Sequence, residues 1–100
     1  MGDAVRIVET GLAGLVLVQP RLHKDARGFL YELFERRRFQ EAGLPADYVQ
    51  DNHSFSKRGV LRGLHFQKRN PQGKLVGVAH GEVFDAVVDL RCGSPTFGRA

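Results

Sequence analysis

Apolar and polar positions alternate along most of this chain in short runs, separated by glycine, proline and polar clusters. A period of two bounded by turn residues predicts half-buried β-strands. Residues 5–9 and 15–19 are the first two such runs, with Gly11 and Gly14 between them and Pro20 closing the second. The polar stretch 23–28, punctuated by Asp25 and Gly28, predicts a turn, and the aromatic-rich residues 28–34 predict a third strand. Residues 35–42 are the one helical candidate, because Phe39 and Ala42 make an apolar i, i+3 pair and Gly43 supplies a stop. So short a helix depends on tertiary packing.

Residues 48–53 predict a strand that is polar on both faces, and residues 60–66 another, after a turn at Lys57, Arg58 and Gly59. Residues 75–79 and 82–90 follow, joined by a turn at His80 and Gly81. In the last run Phe84, Ala86, Val88 and Leu90 share the face expected in the core. Val83, Asp85, Val87 and Asp89 share the other, expected to meet solvent or a partner strand. Seven short strands with one helix predict an all-β sandwich or barrel. Residues 94–100 read as a turn entering a further strand, so the pattern predicts that the sheet continues past Ala100.

Composition narrows the setting. With 100 residues, 42% hydrophobic and 26% charged, the chain fits one small domain. No apolar run reaches the roughly 18 residues of a membrane span. The opening residues show neither an apolar signal core nor a small-residue cleavage site, and Cys92 is the single cysteine, so a reducing cytoplasm is expected. The net charge of +4 favours an acidic partner only weakly. Arg36, Arg37 and Arg38, the one tight basic run, are expected on a solvated helix face. No basic–aromatic interleaving, helix-turn-helix signal or zinc-finger spacing supports a nucleic-acid partner.

The chemistry-bearing residues gather in the middle of the chain. Neighbouring predicted strands carry Gln50, Asn52, Arg62, His65 and Lys74, and polar groups concentrated on adjacent strands normally line a wet cavity. Histidine is the default general base near neutrality. A lysine beside a developing enolate stabilises negative charge, and arginine binds diphosphate bidentately. Together they suit proton abstraction next to a carbonyl in an anionic substrate. No nucleophile elbow is present, and Cys92 lies far along the chain.

Plainer readings stand beside this one. His65 can be structural, Lys74 an edge-strand guard, and Arg27 with Glu32 a surface ion pair of little energetic value. His23, His53 and His80 are expected to do nothing chemical, and Cys92 to act as a small hydrophobe. Gly59 and His65 have the G-x5-H spacing that opens the cupin metal motif, but the second histidine would fall at Gln67 and no glutamate follows. A protein-bound metal is therefore not expected. Arg62 and His65 are three apart, so sharing one cavity requires a bulge or twist, which Gly63 permits.

At these residues the sequence resembles the dTDP-4-dehydrorhamnose 3,5-epimerase family. The segments that carry the likeness are 25–29 (Asp-Ala-Arg-Gly-Phe), 49–54, 59–67, 73–76 and 81–85, and it extends from about Ile7 to Gly98. The resemblance implies a cupin-type jelly roll, partial in this chain, and a homodimer that uses no metal or organic cofactor. It implies a dTDP-sugar substrate, with His65 as the base at C3 and C5 and Lys74 as the cation beside the C4 oxygen. Arg27, Glu32, Gln50, Asp51, Asn52 and Arg62 match positions that hold the nucleotide sugar. The C4 ketone acidifies both flanking C–H bonds, so removal and return of a proton on the opposite face inverts each centre. Relatives continue for nearly as long again and carry there the general-acid Tyr and the Asp that pairs with the base. Tyr31, Tyr48, Asp85 and Asp89 fall at other positions. Residues 1–100 thus read as a single domain, the N-terminal portion of such an epimerase. An inactive fragment or sugar-nucleotide-binding module is the alternative, and a metal-dependent cupin enzyme a more distant one.

Overall fold

The computed structural model describes residues 5–100. The reading of the opening residues as free of a signal therefore falls, for its first four positions, outside the described residues.

Strand β1 (Arg6–Glu9) pairs antiparallel with β2 (Val16–Gln19), Ile7 opposite Val18 and Val8 opposite Leu17. Both strands match their predicted runs to within a residue. Thr10 organises the connection: its hydroxyl accepts the Leu12 N–H at 3.1 Å and donates to the Leu15 carbonyl at 2.6 Å. Gly14 stands at φ 78°, where an L side chain is disfavoured.

The stretch expected as a bare turn is itself a hairpin. Strand β3 (His23–Asp25) pairs with β4 (Gly28–Leu30) around Ala26 and Arg27. The Asp25 carboxylate accepts the Arg27 N–H at 2.8 Å, an Asx turn that fixes the loop. Strand β4 is shorter than the predicted 28–34, although Phe29 and Tyr31 stack with ring centroids 5.9 Å apart.

Helix α1 (Arg36–Glu41) falls where the spacing predicts it. Glu35 caps it, its carboxylate accepting the Arg38 N–H at 2.8 Å, and Gly43 leaves it at φ 76°. Phe39 is 3% exposed and packs edge-on against Phe34, which meets Tyr48 in the same way. These rings hold the helix, as its length requires.

Beyond the helix the strand expectations are not met. Residues 48–53, 60–66, 75–79 and 82–90 form no strand. The turn before residue 60 is present, with the Val60 N–H donating to the Lys57 carbonyl at 3.3 Å and Gly59 at φ 86°. Val49 is 96% and Phe84 97% exposed, so the face carrying Phe84 and Leu90 is not a core here. A strand exists only as one half of a ladder, and a period-two pattern says which residues share a face without supplying the neighbour.

Order returns at the end of the described chain. The Asp89 N–H donates to the Arg99 carbonyl at 2.9 Å, and the Gly98 N–H donates to the Asp89 carbonyl at 2.7 Å. The architecture is thus mostly short strands with one short helix, and no described helix is long and apolar enough to cross a membrane.

Candidate functional site

Arg27 sits at the tip of the β3–β4 hairpin. Its guanidinium grips Asp25 through Nε and Nη2, the latter at 2.6 Å. That contact, with the Arg27 backbone N–H, holds the Asp25 carboxyl below the usual aspartate range and raises the Arg27 guanidinium. An incoming anion at Arg27 would have to share it with Asp25. A cleft runs along this hairpin, lined by His23, Lys24, Asp25, Arg27 and Gly28–Leu30.

Glu32 does not pair with Arg27. It accepts both its bonds from Arg38 Nη1, at 2.8 and 2.6 Å, in a half-buried ion pair. Arg38 is thus drawn off the solvated face expected of the basic run, while Arg36 pairs with Asp47 at 2.6 Å in solvent. The Arg38 N–H, followed by the Arg37 N–H and then the charges of Arg38 and Arg37, holds Glu35 below the usual glutamate range.

The other predicted residues lie in the irregular middle segment, and all are exposed: Gln50, Asp51, Asn52, Arg62, His65 and Lys74. Gln50 donates from Nε2 to Asn52 Oδ1 at 3.4 Å. Arg62 donates to the Phe55 carbonyl at 3.1 Å. Gly63 takes φ 133°, a conformation open to glycine. Neither His65 nor Lys74 lines the hairpin cleft or the cleft beside residues 87–91. Among the described residues no three His, Cys, Asp or Glu side chains converge as a metal would require. Cys92 is exposed rather than packed as a small hydrophobe.

The best-built polar cluster is one that the pattern misassigned. Asp89, expected on a solvated strand face, is 6% exposed. Its Oδ2 accepts Ser94 Oγ at 2.5 Å, Thr96 Oγ1 at 2.6 Å and Arg91 Nη2 at 3.0 Å. Its Oδ1 accepts the Arg91 N–H and Nε, both at 3.0 Å. Led by Arg91, then Ser94 and Thr96, these donors hold Asp89 far below the usual carboxylate range. The signal was present: Asp, then Arg, Ser and Thr two, five and seven residues on, in a Gly- and Pro-containing stretch, spell an Asx turn.

Comparison with known proteins adds the lineage. A family profile described as dTDP-4-dehydrorhamnose 3,5-epimerase matches residues 9–100. The curated dTDP-4-dehydrorhamnose 3,5-epimerase of Methanothermobacter thermautotrophicus is 53% identical over 93 residues, covering 93% of this chain and 50% of the relative. That of Pseudomonas aeruginosa is 53% identical over 96 residues, covering 95% of this chain and 53% of the relative. The crystal structure of dTDP-4-dehydrorhamnose 3,5-epimerase from Elizabethkingia anophelis NUHP1 superposes with a TM-score of 0.67 at 30% identity, over 95% of this chain and 53% of that one. The chain spans about half the length of the curated relatives it matches.

Proposed function

The chain belongs to the dTDP-4-dehydrorhamnose 3,5-epimerase family, and from that premise we propose that it serves the epimerisation of dTDP-4-dehydro-6-deoxyglucose at C3 and C5, giving dTDP-4-dehydrorhamnose for dTDP-rhamnose synthesis. The observation that carries this reading is the identity of about half the residues with curated epimerases over 93 aligned positions. Those positions include the segments that bear Arg27, Gln50, Arg62, His65 and Lys74. In this reading His65 removes the proton from each carbon beside the C4 ketone, and Lys74 offsets the enolate charge on the C4 oxygen. Arg27 and Arg62 take the diphosphate, and Glu32, Gln50, Asp51 and Asn52 orient the nucleotide sugar.

The same proposal gives the chain the place of the N-terminal part of a cupin-type jelly roll, working as a homodimer in the cytoplasm without metal or organic cofactor. Strands β1 to β4 and helix α1 are then one flank of that barrel. Residues 48–90 are the strands that line its interior once neighbours lie beside them.

The exposure of His65 and Lys74 favours a second reading, in which the 100-residue chain binds the sugar nucleotide without turning it over. Incubation with the 4-keto sugar in deuterated water separates the two. Deuterium at C3 and C5, lost by roughly 10²- to 10⁴-fold in His65→Asn, supports the epimerase reading for this chain. Binding of dTDP with no exchange supports the binding module. Neither exchange nor binding at high protein concentration overturns both.

A further inference from the structure

The Asp89 cluster belongs to none of the chemistry above, and it does something unusual for this chain: it joins residues far apart in sequence. Thr96 Oγ1, which donates to Asp89, accepts the Ala13 N–H at 3.1 Å, and Arg91 Nη2 donates to the Ala13 carbonyl. Both backbone polar groups of Ala13 are thus held by side chains that also bond one carboxylate, that of Asp89. On the opposite side, a Cβ placed at Gly14 would stand 2.9 Å from Arg91 Nη1, so the guanidinium lies against bare backbone. Between the two segments lies a cleft of about 220 Å³, walled by Leu12, Ala13, Gly14 and Leu15 on one side and by Val87, Val88 and Leu90 on the other.

From this arrangement we infer that residues 89–99 are a latch that closes as one unit on the loop between β1 and β2, with the Asp89 carboxylate as its pin. Every element of the latch needs that group to accept. Ser94 and Thr96 orient their hydroxyl protons toward Oδ2, and Arg91 is fixed across both oxygens. With its proton given to Asp89, Thr96 Oγ1 keeps a lone pair for the Ala13 N–H. The loop residues Thr10, Gly11, Leu12, Ala13, Gly14 and Leu15 bring no ionisable side chain, and Arg91 is the charged group that faces the pin. Opening the latch parts the two walls of the cleft while leaving the β3–β4 hairpin, a separate two-stranded sheet, untouched.

The test is amide hydrogen exchange, read residue by residue on the full chain. In Asp89→Asn one oxygen becomes an NH2 that faces donors. The amides of Ala13, Asp89 and Gly98 should then exchange roughly 10- to 100-fold faster, while those of the β3–β4 hairpin keep their rates. Thr96→Val, which keeps the β-branched shape and removes one hydroxyl, should speed Ala13 more than Gly98. Unchanged rates at Ala13 and Gly98 in Asp89→Asn overturn the latch. So does equal acceleration at the hairpin, which would make Asp89 a global stabiliser, and so does a Thr96→Val variant that leaves Ala13 protected.

Discussion

At the scale of single residues, position within a donor set decides what a carboxylate does. Asp85 and Asp89 share one face in the sequence pattern, yet one is exposed and the other sits at the centre of five donated bonds. A carboxylate whose folded pKa is depressed contributes stability above its unfolded pKa and loses it only as pH falls through the folded value. For Asp89 that window lies below the range in which ordinary aspartates protonate, near 3.9. The Asp89 carboxyl carbon shift should therefore stay flat through about pH 3.5, within the range where an ordinary aspartate is already protonating. An Asp89 that titrates in the ordinary aspartate range would refute the geometry. Sequence reading placed Asp89 on a solvated face because alternation registers polarity at i and i+2 but not the return of the chain seven residues later.

At the scale of elements, what was legible is what is local. Helix α1 falls inside the predicted 35–42 because its signals, Phe39, Ala42 and Gly43, act within a turn or two. Strands β1 and β2 were legible for the same reason, since glycines and Thr10 close a six-residue connection between them. The β3–β4 hairpin was read only as a turn, because Asp25 and Gly28 speak for the loop and its three-residue arms are too short to show a period. The four predicted runs from 48 to 90 form no ladder, since their pairing depends on residues that a local pattern does not specify. The candidate site rests on those runs. Its residue types were legible as chemistry, but their convergence on one cavity was not. Within the ordered part, the aromatic cluster makes a sharp prediction. Phe39→Ala removes the ring buried against Phe34 and should cost about 3–5 kcal/mol, enough to abolish the helical circular-dichroism signal. A variant with the helix intact would show that α1 stands without its packing.

At the scale of the whole molecule, the chain is looser than its length allows. Its radius of gyration is 15.6 Å, against about 13 Å for a compact domain of 100 residues. The excess lies where Val49, Leu61, Phe66 and Phe84 stand exposed. Apolar surface of this extent drives association. Sedimentation velocity across a concentration series should show self-association, accompanied by binding of an apolar dye that diminishes as the assemblies form. A monomer at every concentration with no dye bound would contradict the exposure of these side chains. Composition gave no warning, since 42% hydrophobic residues suffice for a core and the count does not say whether they meet.

The bond from Ala13 to Thr96 also makes everything between them a tether. Its ends are 83 residues apart, and closing so long a flexible span costs about 4 kcal/mol in chain entropy. Each halving of its floppy length returns about 0.6 kcal/mol. Anything that freezes part of the middle segment, a sugar nucleotide or a neighbouring strand alike, must therefore tighten a junction it never touches.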